Sequence, residues 1–125
     1  MKIRIKGNSI RLRLSQKEVS AIAKGEAIVE RTVFSPVDAF VYALEPWHLS
    51  VAEAKFENGR ITVMLPEQAI TKWAGTEEVS LQYTQDNGAD GLRILVEKDF
   101  ACLAEREGED ESDNFPHPHA GNKKC

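Results

Sequence analysis

Ile10–Ala23, IRLRLSQKEVSAIA, returns 51 residues later as Ile61–Ala74, ITVMLPEQAITKWA. The apolar positions coincide: Ile10 with Ile61, Leu12 with Val63, Leu14 with Leu65, Val19 with Ile70, Ile22 with Trp73, Ala23 with Ala74. Each copy alternates apolar residues, as a half-buried strand does. It then spaces them three and four apart, as an amphipathic helix does. The flanks keep the same offset. Gly7-Asn8 precedes one copy and Asn58-Gly59 the other, both pairs that tolerate the positive φ of a tight hairpin turn. Ser35-Pro36 and Asp86-Asn87-Gly88 follow at the same spacing. Turns, strands and helix starts thus share one period, and the reading is a duplicated ββαββ unit. The repeats fall at about 1–46 and 49–98 within a single domain of residues 1–106, with an acidic tail at 107–125. The expected fold class is α+β: an eight-stranded, mostly antiparallel barrel or curved sheet, or a sandwich, with two helices.

Outward from this stretch, Met1–Leu14 reads as a hairpin about Gly7-Asn8. That turn sets Ile5 opposite Ile10, Arg4 opposite Arg11 and Lys2 opposite Arg13. Directly opposed like charges destabilise a sheet, so this face calls for anions nearby. Ser15-x-x-Glu18 is a capping box that starts the first helix. Glu26–Phe34 is β-rich, and Ala39–Leu44 (AFVYAL) is apolar on both faces, as a central strand is. Glu45-Pro46-Trp47-His48 reads as a crossover. In the second unit Asn58-Gly59 pairs Glu57 with Arg60, a hairpin that satisfies its own charge. Pro66 suits a helix start, and strands follow at about 79–84 and 92–97. Phe115 is an isolated aromatic in a polar tail, placed to anchor that tail in a groove of its own domain or of a partner.

The whole chain has 125 residues, 42% hydrophobic and 29% charged, with a net charge of −4. That is an ordinary globular composition. The acidic balance argues against nucleic acid as a partner. No apolar run is long enough to span a membrane. The first residues alternate as a strand does and carry no apolar secretory core, so the expected compartment is the cytosol. There Cys102 and Cys125 would stay reduced.

Three clusters could carry function. The first is basic: Lys2, Arg4, Lys6, Arg11 and Arg13, joined by Lys55, Arg60 and Arg93 should the strands close into a barrel. Arginine suits bidentate recognition of phosphate or carboxylate. In a barrel, Glu30, Glu53 and Glu97 would face the same interior and make a charged tunnel. The second cluster is Cys102, His117, His119 and Cys125, all zinc-compatible donors. Their spacing lacks the short Cys-x-x-Cys or His-x3–5-His pairs of structural sites, which favours a solvated tail. The third is Trp47-His48, an aromatic beside a titratable ring with no nucleophile near it. No phosphate loop, dinucleotide fingerprint or nucleophile elbow is present.

The opening MKIRIKGNSIRLRL, with Asp113-Asn114-Phe115-Pro116 and the terminal Cys125, resembles a family of small bacterial proteins known only as a domain of unknown function. The resemblance spans the full length and implies no activity. At the level of architecture a duplicated eight-stranded barrel is similar to the triphosphate-tunnel enzymes of the CYTH type. Their first strand carries Glu-x-Glu-x-Lys, where this chain has Lys2-Ile3-Arg4-Ile5-Lys6; Glu53-Ala54-Lys55 echoes a fragment of it. The leading expectation is a binding module whose basic hairpin face takes an anionic small molecule or an acidic protein segment, its own tail included, as monomer or homodimer. The alternative is a metal-dependent tunnel-type phosphohydrolase acting on triphosphate or nucleotides. No resident cofactor is expected; Mg²⁺ belongs to the phosphohydrolase reading and Zn²⁺ to the tail cluster.

Overall fold

The computed structural model describes residues 1–100 together with Asp113 and Phe115. Ten elements follow one another: β1 (Lys2–Ile5), β2 (Ser9–Leu14), α1 (Gln16–Ala23), β3 (Ile28–Ser35), β4 (Asp38–Trp47), β5 (Glu53–Glu57), β6 (Arg60–Pro66), α2 (Glu67–Gly75), β7 (Ser80–Gln85) and β8 (Leu92–Lys98). The order of elements is therefore ββαββ followed by ββαββ.

The strands form two four-stranded sheets, β1-β2-β8-β7 and β3-β4-β6-β5. The expected single eight-stranded barrel or curved sheet does not form; of the expected packings the strands take that of two sheets over one core. Each sheet is two antiparallel hairpins joined by a parallel pair, β2 with β8 and β4 with β6. A parallel centre ties the first hairpin to the last and the second to the third. The strands are thus divided between two sheets and do not run round one barrel.

Local chemistry explains each hairpin. Lys6 and Ser9 exchange backbone hydrogen bonds across Gly7-Asn8, at 3.2 and 3.1 Å. The register is Lys2 with Arg13, Arg4 with Arg11 and Ile5 with Ile10, as the turn dictates. Asn58 and Gly59 both take positive φ, 51° and 73°, which two-residue hairpin turns need. Glu57 sits opposite Arg60. The guanidinium, however, reaches Glu45 of β4 at 3.4 Å, so its charge partner lies outside the hairpin. β4 is central, as its apolar faces implied, but runs on to Trp47 beside β6 instead of breaking at Glu45. Pro46 is tolerated there because β3 pairs no further along β4 than Leu44.

The inward rows of both sheets share one core: Ile10, Leu12, Leu14, Ile94 and Val96 from one, and Leu44, Ile61, Val63 and Leu65 from the other. α1 and α2 pack on each other at one end. Val19, Ile22, Ile70 and Trp73 turn inward and are buried. The Ser15–Glu18 capping box is formed. Trp73 is fully buried, and its indole N–H donates to Val79 O at 3.0 Å, so its polar atom is satisfied.

Candidate functional site

In a ladder, registered residues place their side chains on the same face. The ladders of the first sheet give Lys2 with Arg13 and Glu97, Arg4 with Arg11 and Leu95, and Ser9 with Arg93 and Thr84. The alternate residues Ile10, Leu12, Leu14, Ile94 and Val96 are buried. The charged rows therefore form the outer face. On it Arg4, Lys6, Arg11 and Arg93 line a depression of about 440 Å³, with Ser9, Gln82 and Thr84 supplying polar groups between them.

Part of this charge is neutralised from within. Glu97 Oε1 accepts from Arg11 Nε at 2.6 Å and from Arg13 Nε at 2.8 Å. The Lys2 ammonium pairs with the buried Asp99 at 2.8 Å. Arg4, Lys6 and Arg93 have no acidic partner among the described residues. Among the described residues no carboxylate lines the depression. Three cations without an acidic partner among the described residues therefore flank one that already holds a carboxylate.

The expected cluster comes together only in part. Arg4, Lys6, Arg11 and Arg93 share the depression, and Lys2 and Arg13 lie one row further along the same face. Lys55 and Arg60 belong to the other sheet, with Arg60 tied to Glu45 and Thr62. Glu30 and Glu53 are on that sheet too, so no common interior gathers these charges; the shared interior is apolar. His48 is exposed, and the Trp47 indole N–H donates to Val51 O at 2.8 Å, a packing corner. Cys102, His117, His119 and Cys125 lie outside the described residues. Among the described residues no three His, Cys, Asp or Glu are grouped to hold a metal, and no helix is long and apolar enough to cross a membrane.

Sequence reasoning missed Lys98 and Asp99. Ile94, Val96 and Lys98 alternate onto the inward face, a signal that was present in the strand. Lys98 is 7% exposed. Its ammonium donates to Thr76 O at 2.8 Å and lies over the rings of Trp73 and Phe115, at 5.9 and 5.4 Å. Burial pulls its pKa down, against the pull of Glu78 and Glu77. Phe115 is anchored on its own domain. Its N–H donates to Asp99 O at 2.7 Å, and its ring meets Phe100 edge-on at 5.8 Å. Asp113 caps α1, accepting from Lys17 N at its carboxylate and from Gln16 N at its carbonyl.

With this geometry in place, the comparisons identify the family. Residues 1–119 match the family of unknown function DUF7009. The chain belongs to that family. No curated protein and no solved structure matches it. The match agrees with the resemblance carried by Met1–Leu14 and Asp113–Pro116, and it assigns no activity.

Proposed function

We propose that this protein is a non-enzymatic binding module of the cytosol, and that the outer face of the β1-β2-β8-β7 sheet is its anion site. The observation that supports the reading is that Arg4, Lys6 and Arg93, without acidic partners among the described residues, line one depression with Arg11. Opposed cations such as Arg4 and Arg11 weaken a sheet. An anion placed between them removes that repulsion and gains charge-assisted hydrogen bonds. The ligand is an anionic small molecule or an acidic protein segment. The shared plan of the two ββαββ halves supports reading them as an internal duplication in one domain, with the basic face confined to one sheet. Tunnel-type phosphohydrolysis needs carboxylates to hold metal beside the phosphates, and the depression offers cations instead.

The test is a thermal-shift series with phosphate, pyrophosphate, triphosphate and acidic peptides. A ligand at about a hundred times its dissociation constant stabilises a fold by about 2.7 kcal/mol. A rise in Tm that disappears in the Arg4→Gln/Arg93→Gln double variant supports the site. An equal rise in that variant, or no rise with any anion, overturns it.

A further inference from the structure

The two sheets are closed on three sides. At one end α1 and α2 bury Val19, Ile22, Ile70 and Trp73. Along one seam Gln85 of β7 bridges to β5: Ala54 N–H donates to its Oε1 at 2.6 Å, and its Nε2 donates to Ala54 O at 3.0 Å. Along the other seam Tyr42 Oη donates to Met1 O at 2.7 Å, and the Met1 ammonium pairs with Glu30 at 2.7 Å. At the end opposite the helices no element of the described residues covers the core. There Ile5, Ile10, Phe40, Phe56, Ile61 and Leu92 line a cavity of about 340 Å³.

Two features of this mouth bear on what fills it. Phe56 and Ile5 lie in register with Ile61 and Ile10, on the rows that face inward. Yet they are 70% and 54% exposed. Apolar side chains that face inward but stay wet gain free energy when a ligand covers them. The β1–β2 turn is also a common wall. Ile10 lines both the mouth and the basic depression, while Gly7 lines the mouth and Lys6 the depression. A methyl group at Gly7 would meet nothing within 4 Å, so the space beside the turn is open at that residue.

We propose that the ligand is a single-chain amphiphile: a carboxylate or phosphate head held by Arg4, Lys6 and Arg93, with an alkyl or acyl chain over the turn into the mouth. This rests on the anion site proposed above and names its ligand class. A bare anion leaves the mouth wet, and an uncharged chain leaves the cations unpaired; one molecule of both characters satisfies both.

The experiment is calorimetric titration of the full chain with inorganic phosphate, ethyl phosphate, decyl phosphate and decanoate, each below its micelle-forming concentration. Decyl phosphate is expected to bind at least tenfold more tightly than ethyl phosphate. Decanoate against decyl phosphate reports the head preferred. Phe56→Ser, at an exposed position on an edge strand, should erase most of the chain-length gain and leave ethyl phosphate affinity unchanged. A melting curve confirms that the variant folds. Arg4→Gln/Arg93→Gln should weaken both phosphates. Equal affinity for ethyl and decyl phosphate, or a gain that survives Phe56→Ser, overturns this inference and leaves the anion site standing. Decyl phosphate binding that is indifferent to the arginines overturns the placement of the head, and failure of every ligand to bind removes both proposals.

Discussion

Across the first hairpin Arg4 meets Arg11 and Lys2 meets Arg13, and one carboxylate, Glu97, holds two of those four cations. Glu97→Gln should therefore lower stability by about 1.5–3 kcal/mol, the range for a hydrogen bond to a charged group, measured by urea titration. Arg4→Gln should raise stability by about 0.2–1 kcal/mol at low salt, because it removes one of two directly opposed charges. The pairing of these cations was legible in the sequence, since a two-residue turn fixes register locally. The neutralising role of Glu97 was not, because it depends on a parallel contact with a strand more than eighty residues away. A second cluster gives a pH signature. The Tyr42 phenol is held above its usual value of 10.0 by burial and then by Glu30 and Glu18. For Met1, burial alone would lower the ammonium pKa; hydrogen bonds and charge from Glu18 and Glu30 outweigh it and raise the value above 8.0. Both shifts have the same sign for stability. The amine contributes fully below pH 8.0 and loses its contribution as pH rises through its folded value. The phenol's contribution is lost above pH 10.0. Lys98, lowered from 10.5 chiefly by burial, works the other way. Denaturation curves from pH 7 upward should show stability falling from about pH 8, more steeply in Lys98→Met.

At the scale of elements, α1 is fixed at its start by two independent devices. Ser15 and Glu18 form the reciprocal cap, and Asp113 accepts from the next two amides. Ser15→Ala should cost about 1 kcal/mol. Phe115→Ala should cost about 1–3 kcal/mol, by removing the ring from Phe100 and Lys98. It should also raise hydrogen exchange at Gln16 and Lys17; unchanged exchange there would argue against a capping role for the segment. The cap, both hairpin turns and the central place of β4 were legible because each depends on neighbours within a few residues. The continuation of β4 through Pro46 was not, since it depends on where β3 stops. The mouth was missed for a related reason. Ile5, Phe40 and Phe56 follow the same alternation as core residues, and among the described residues no element covers that end, so Ile5 and Phe56 are exposed and Phe40 is half-buried.

Over the whole molecule, the chain carries −4 net charge, yet one sheet face gathers Lys2, Arg4, Lys6, Arg11, Arg13 and Arg93 against Glu97 and Asp99. Exposed charges are screened over about 10 Å at 0.1 M salt. Anion affinity should therefore fall several-fold as salt is raised, whereas the gain from a long alkyl chain should persist. Periodicity in the sequence carried the order of elements and the inward rows. Which strands share a sheet was not legible, because β2 with β8 and β4 with β6 are non-local parallel pairings that no short pattern specifies. The proposed anion site is the outer face of β1-β2-β8-β7. The most direct test is an amide chemical-shift titration of the labelled protein with pyrophosphate. Saturating shifts centred on Arg4, Lys6, Ser9 and Arg93 are predicted. No shifts, or shifts centred on Lys55 and Arg60 of the other sheet, would contradict it.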